Sequence, residues 1–74
     1  MEESINLNRI HIGDIIAARR KELGHTVRGL AELSGVPYQN ISRIEHGQYN
    51  ASIDILSKIL DVLNLKIEIT LKKP

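Results

Sequence analysis

Between two short amphipathic segments the chain reads Gly35-Val36-Pro37, and that tripeptide restricts the fold more than any other feature. Glycine accepts positive φ, and proline presets the first-turn φ of a helix that follows it. The segment before it, Val27 to Ser34, has Thr26 as a capping residue and turns Leu30 and Ala31 inward. Its capping box is incomplete, because Gly29 stands where a Glu or Gln would close the reciprocal bond. The segment after it, Pro37 to about His46, can bury only Ile41 and Ile44. Tyr38, Gln39, Ser42 and Arg43 are therefore turned outward. Gly47 ends this helix.

Two further helices flank the pair. Ile12, Ile15, Ile16 and Leu23 fall near one stripe from Ile12 to Leu23, with Asp14 early and Arg19, Arg20 and Lys21 late, as the helix dipole favours. Gly24 stops that helix as a left-handed cap. Ser52 caps a helix from Ile53 to Leu63, in which Ile53, Ile55, Leu56, Ile59, Leu60, Val62 and Leu63 cover more than one stripe. One face can fill this domain's core while the remainder covers a second subunit.

A chain of 74 residues makes one small domain, burying only about 60% of the surface its unfolded form exposes. Cysteine is absent, which excludes disulfides and thiolate zinc sites and leaves partner association as the remaining staple. The start, MEESINLNR, has neither the basic nor the long apolar stretch of a secretory signal. No run of about 18 apolar residues exists to span a membrane. The expected protein is soluble and cytoplasmic, with no membrane partner. A net charge of +1 does not by itself announce nucleic-acid binding, but Arg19, Arg20, Lys21, Arg28, Arg43 and three histidines gather around the central helices. With no Phe or Trp and two Tyr, the core must be aliphatic and stacking platforms for single strands are hard to build, which favours duplex.

Lys66 to Lys72 alternates Ile67, Ile69 and Leu71 against Lys66, Glu68, Thr70 and Lys72, a half-buried strand pattern. It has no hairpin partner, so the expectation is pairing with the same strand of a second copy across a two-fold axis. Leu63, Leu65, Ile67, Ile69 and Leu71 are the expected dimer contacts. Ser4 to Asn8, with Ile5 and Leu7 alternating, is a weaker local partner for that strand.

A short helix, a tight turn with Gly and a second helix with a polar outer face make a helix-turn-helix, whose second helix enters the major groove. Gln bonds adenine bidentately and Arg does so to guanine, each good pair giving roughly 1–3 kcal/mol of discrimination. Gln39 and Arg43 are thus the leading base readers, with Tyr38 and Ser42 beside them. Tyr38 is open between base, phosphate and packing against the turn, and Ser42 is similar.

At these positions the chain resembles the Cro and phage-repressor family of XRE-type helix-turn-helix regulators. Gly13, Ile16, Arg20 and Gly24 fit its first helix; Thr26, Leu30, Ala31, Gly35 and Val36 fit its second helix and turn. Ile41, Ser42, Ile44, Glu45 and Gly47 fit its third helix, and Ser52, Leu56, Ile59 and Leu63 its fourth. The resemblance implies an all-α, lambda-repressor-like bundle of four to five helices, a palindromic operator bound by a homodimer, and an Arg20–Glu45 ion pair. It also implies phosphate contacts near Thr26, His46 and Gln48; Arg19, Arg28 and Asn40 are further backbone candidates. Val27 stands where the family usually has a Gln that touches DNA, and Gly29 where it often has Glu. Arg28 is the nearest replacement for that contact. The tail, LNLKIEITLK, looks like that of a Hip-type antitoxin, which implies a dimerising strand and a cognate toxin kinase as partner. The expected organisation is a flexible arm over residues 1–9, a DNA-binding domain over 10–64, and a dimerisation strand and tail over 65–74.

Each assignment has a plainer counterpart. Arg20 and Glu45 are either a structural pair or solvated charges of little consequence. The outer face of the third helix either reads bases or is merely polar, and a module that binds protein through that face is the alternative function. His11, His25 and His46 lie on separate segments with no i, i+4 pair, which speaks against a metal site. No paired carboxylates, nucleophile elbow or phosphate loop suggests an enzyme or a cofactor.

Overall fold

Thr26 and Ser52 start two of the helices by accepting amide protons that would otherwise lack partners: Gly29 N–H donates to Thr26 Oγ1 at 2.9 Å and Ile55 N–H to Ser52 Oγ at 3.1 Å. The computed structural model describes residues 7–70 and 72. Its helices are α1 (Leu7–Glu22), α2 (Val27–Ser34), α3 (Tyr38–Glu45) and α4 (Ile53–Val62). Gly35 closes α2 with φ of 75° and donates its amide to Ala31 O. That left-handed residue, with Val36 and Pro37, turns the chain sharply from α2 into α3.

The core is aliphatic. Ile16, Leu30, Ile41, Ile59 and Leu63 are fully buried, and Val36 and Ile44 nearly so. Each such side chain contributes roughly 1.5–3 kcal/mol by leaving water. Val36 lies inside the turn itself, so the turn is pinned to the core by a side chain as well as by its backbone. α3 packs on α1 and α2, and α4 packs on α2, leaving the remaining surface of α3 open. Among the described residues, no helix is long and apolar enough to cross a membrane.

Two expectations are corrected. The four helices are the only regular elements among the described residues, and no β-strand forms over residues 66–70. A strand needs a ladder partner, and none is present among the described residues. Leu65 and Ile67 instead line an apolar groove with Ile12 and Ile15 of α1 and Ile53, Leu56 and Leu60 of α4, a space of about 410 Å³. Of the alternating residues, Leu65 packs against the core, Ile67 stays about half exposed at the groove and Ile69 is 94% exposed. Leu71 and the Ser4–Asn6 part of the weaker local strand lie outside the described residues, and Leu7 and Asn8 are helical. The second correction concerns α1, which starts at Leu7 rather than Ile12. Residues 7–9 of the expected arm therefore form its first turn, and residues 1–6 lie outside the described residues. Of the stripe Ile12, Ile15, Ile16 and Leu23, only Ile16 is fully buried.

Candidate nucleic-acid interface

α3 presents its polar residues as one surface. At about 100° per residue, Tyr38, Ser42, His46, Gln39 and Arg43 span an arc of about 140°, while Ile41 and Ile44 point to the other side. Those two isoleucines are buried, whereas Tyr38, Gln39, Arg43 and His46 are exposed and Ser42 is half-exposed. The sequence-expected readers therefore lie together at the surface. Asn40, expected at the DNA backbone, is half-buried near the start of α3, and Gln48 is exposed just beyond its end.

Arg28 beside the arc and Arg43 within it are each laid on a tyrosine ring. The Arg28 guanidinium carbon sits 4.6 Å from the centroid of Tyr38, joining the start of α2 to the start of α3. That of Arg43 sits 5.3 Å from the centroid of Tyr49. Both separations lie inside the range of about 6 Å at which a ring's quadrupole attracts a cation. Tyr49 was not among the residues singled out from sequence. The signal that could have found it is Gly47, whose turn brings the chain back beside the end of α3.

His46 is fixed as well. Its Nδ1 lies 2.6 Å from Ser42 O, and a carbonyl can only accept, so Nδ1 carries the proton and Nε2 is left for another partner. Thr26, besides capping α2, is exposed at the same end of the motif.

Arg20 and Glu45 tie α1 to the last turn of α3. Arg20 Nε donates to Glu45 Oε2 at 2.7 Å, its second terminal nitrogen to Oε1 at 3.0 Å, and its first to His25 O at 2.9 Å. The side chains retain only 11% and 7% of their exposure, so these are not solvated surface charges. The Glu45 hydrogen bond, aided by its charge and opposed by desolvation, raises the Arg20 pKa above its ordinary value. A raised pKa adds stability at every pH below the free guanidinium's own value, so this contribution does not vary across the neutral range. Arg19 is engaged elsewhere, donating to Leu63 O at 2.9 Å and to Glu22 at 2.9 Å. It braces α1 against the end of α4. Of the expected dimer contacts, Leu63 belongs to this chain's own core and Leu65 and Ile67 to the groove.

A two-helix unit with a Gly turn, an exposed polar arc and flanking arginines is the architecture of a helix-turn-helix DNA-binding domain. The helix-turn-helix family model HTH_3 matches residues 16–69. The chain belongs to that family, which is of XRE/Cro/C1 type and consists of DNA-binding transcription regulators. Among solved structures, the clp gene regulator ClgR of Corynebacterium glutamicum is similar, at 27% identity and a TM-score of 0.79 over 89% of this chain and 85% of that one. A second ClgR structure gives 29% identity and a TM-score of 0.76 over 84% and 66%. The restriction-modification controller protein C.AhdI from Aeromonas hydrophila shares the fold at 24% identity, with a TM-score of 0.78 over 82% of this chain and 92% of that one. A comparison with curated proteins finds no match.

Proposed function

We propose that this chain is a sequence-specific repressor that binds a palindromic duplex operator as a homodimer. The observation that carries the reading is the α3 arc: a glutamine and an arginine stand exposed, one turn apart, on the helix that the motif delivers to the major groove. Tyr38, Gln39, Ser42 and Arg43 face base edges, while Thr26, Arg28, Asn40, His46 and Gln48 face the sugar-phosphate backbone. Residues 10–64 form the DNA-binding domain, with α1 extending it towards the N-terminus. The similar structures are those of a gene regulator and a restriction-modification controller, which agrees with a regulatory role.

On a selected duplex, Gln39→Ala and Arg43→Ala are each expected to lose roughly 1–3 kcal/mol of base discrimination at particular positions, measured by titration against single-base variants of the site. Equal losses on every variant would refute the assignment of these two as readers.

The second copy is placed on the α1–α4 groove. Ile12, Ile15, Ile53 and Ile67 keep 37%, 43%, 69% and 47% exposure around it, an apolar patch of the kind that marks interfaces, and a domain this small gains most from added burial. Ile53→Asp is expected to convert dimer to monomer while leaving the helical content unchanged, because Ile53 contributes little to the monomer's core. Sedimentation equilibrium reads the outcome, and an unaltered dimer mass would remove this face from consideration. The antitoxin role rests on the C-terminal strand, and with no strand among the described residues no observation favours it or a toxin kinase partner. A protein-binding module is favoured by no specific feature of the arc.

A further inference from the structure

We infer that Tyr49 is a specificity-determining positioning residue, which holds Arg43 in its base-reading orientation. This rests on the reading of Arg43 as a base contact. The geometry is built from the turn that ends α3. Gly47 has φ of 72°, and a Cβ there would lie 2.8 Å from Ile10 Cγ1, so neither the backbone conformation nor the space suits another residue. That reversal lets Gly47 N–H donate to Ile44 O at 3.0 Å and Gln48 N–H to Arg43 O at 2.8 Å. The next residue is Tyr49, half-buried and packed against the core, where it lines a small recess with Ile44, Ala51 and Leu56. The ring is thus seated from below by the fold, and its face carries the Arg43 guanidinium at 5.3 Å.

An exposed arginine explores many rotamers, and ordering it on binding subtracts from the contact it makes. A guanidinium already resting on a seated ring loses less of that freedom. The benefit appears wherever Arg43 discriminates between base pairs, and at no other position of the operator. A purely structural Tyr49 would act differently, since loosening the end of α3 weakens binding to every sequence.

The test uses the full chain on its selected duplex and on variants of each position. Tyr49→Phe keeps the ring and is expected to match the wild type. Tyr49→Leu keeps an apolar side chain against the core without the aromatic face, and is expected to lose about two- to fivefold in selectivity, only at the position where Arg43→Ala has its effect. The double variant Arg43→Ala with Tyr49→Leu is expected to equal Arg43→Ala alone. In the free protein, Arg43 side-chain proton resonances should carry the ring's upfield shift in wild type and Tyr49→Phe, and lose it in Tyr49→Leu. Wild-type selectivity in Tyr49→Leu, or a uniform loss at every position, overturns the inference while leaving Arg43 as a reader. Absence of any position-specific loss in Arg43→Ala overturns the reading beneath it and the inference together.

Discussion

Glu45→Ala is expected to lower the free energy of unfolding by about 3 kcal/mol, because it leaves the Arg20 guanidinium buried with its principal acceptor gone. Arg20 keeps only its bond to His25 O, and two of its three hydrogen bonds disappear. Small domains have total stabilities of roughly 5–10 kcal/mol, so a loss of that size removes about a third to three-fifths of the total. Urea denaturation followed by circular dichroism measures it. A loss under about 1 kcal/mol would place the pair among ordinary surface ion pairs. Replacing both partners with apolar residues, as in Arg20→Met with Glu45→Leu, is expected to recover much of the loss, since no charge then remains to desolvate. The doubly substituted protein also separates stability from orientation: folded but weaker on DNA, it would show that the pair sets the tilt of α3.

Gly13→Val is the second large effect, expected to cost at least about 3 kcal/mol by forcing atoms into a packed backbone contact. In most helix interiors a side chain larger than hydrogen is favoured over glycine, by about 1 kcal/mol for alanine. Here the sign reverses. A Cβ on Gly13 would collide with the carbonyl oxygen of Ile44 and lie 2.8 Å from that of Glu45, and backbone at the end of α3 cannot swing aside as a flexible side chain can. Missing side-chain atoms at this one position allow α1 to touch the final turn of α3, beside the Arg20–Glu45 pair. Thermal unfolding of Gly13→Val and Gly13→Ala reads the effect; an alanine variant more stable than the wild type would refute the close approach.

The turn and the two helices around it were legible because their causes are local. Gly35, Pro37 and Thr26 each act within three residues, and Ile41 and Ile44 leave one way for α3 to face. The Arg20–Glu45 pair was reached by resemblance, since its partners stand 25 residues apart and no periodicity connects them. Arg43 on Tyr49 and Arg19 on Leu63 O were not legible: each depends on how a loop or helix end is placed by distant packing. The C-terminal alternation misled for a related reason. Period two says which side chains share a face, and the same face can rest on a sheet or on a helix groove. Leu65 packs against the helical core and Ile67 lines the groove beside it. The early start of α1 was hidden because Ile5 and Leu7 alternate with polar residues, a period-two pattern that reads as a strand.

The most direct test of the central claim is selection of random duplex DNA by the purified protein, followed by affinity of the enriched sequences against salt concentration. A palindrome with half-site centres about one helical turn apart, bound with an affinity that falls steeply as salt rises, is the predicted result. Recovery of no sequence above random, at low salt and with a folded dimer present, would contradict it.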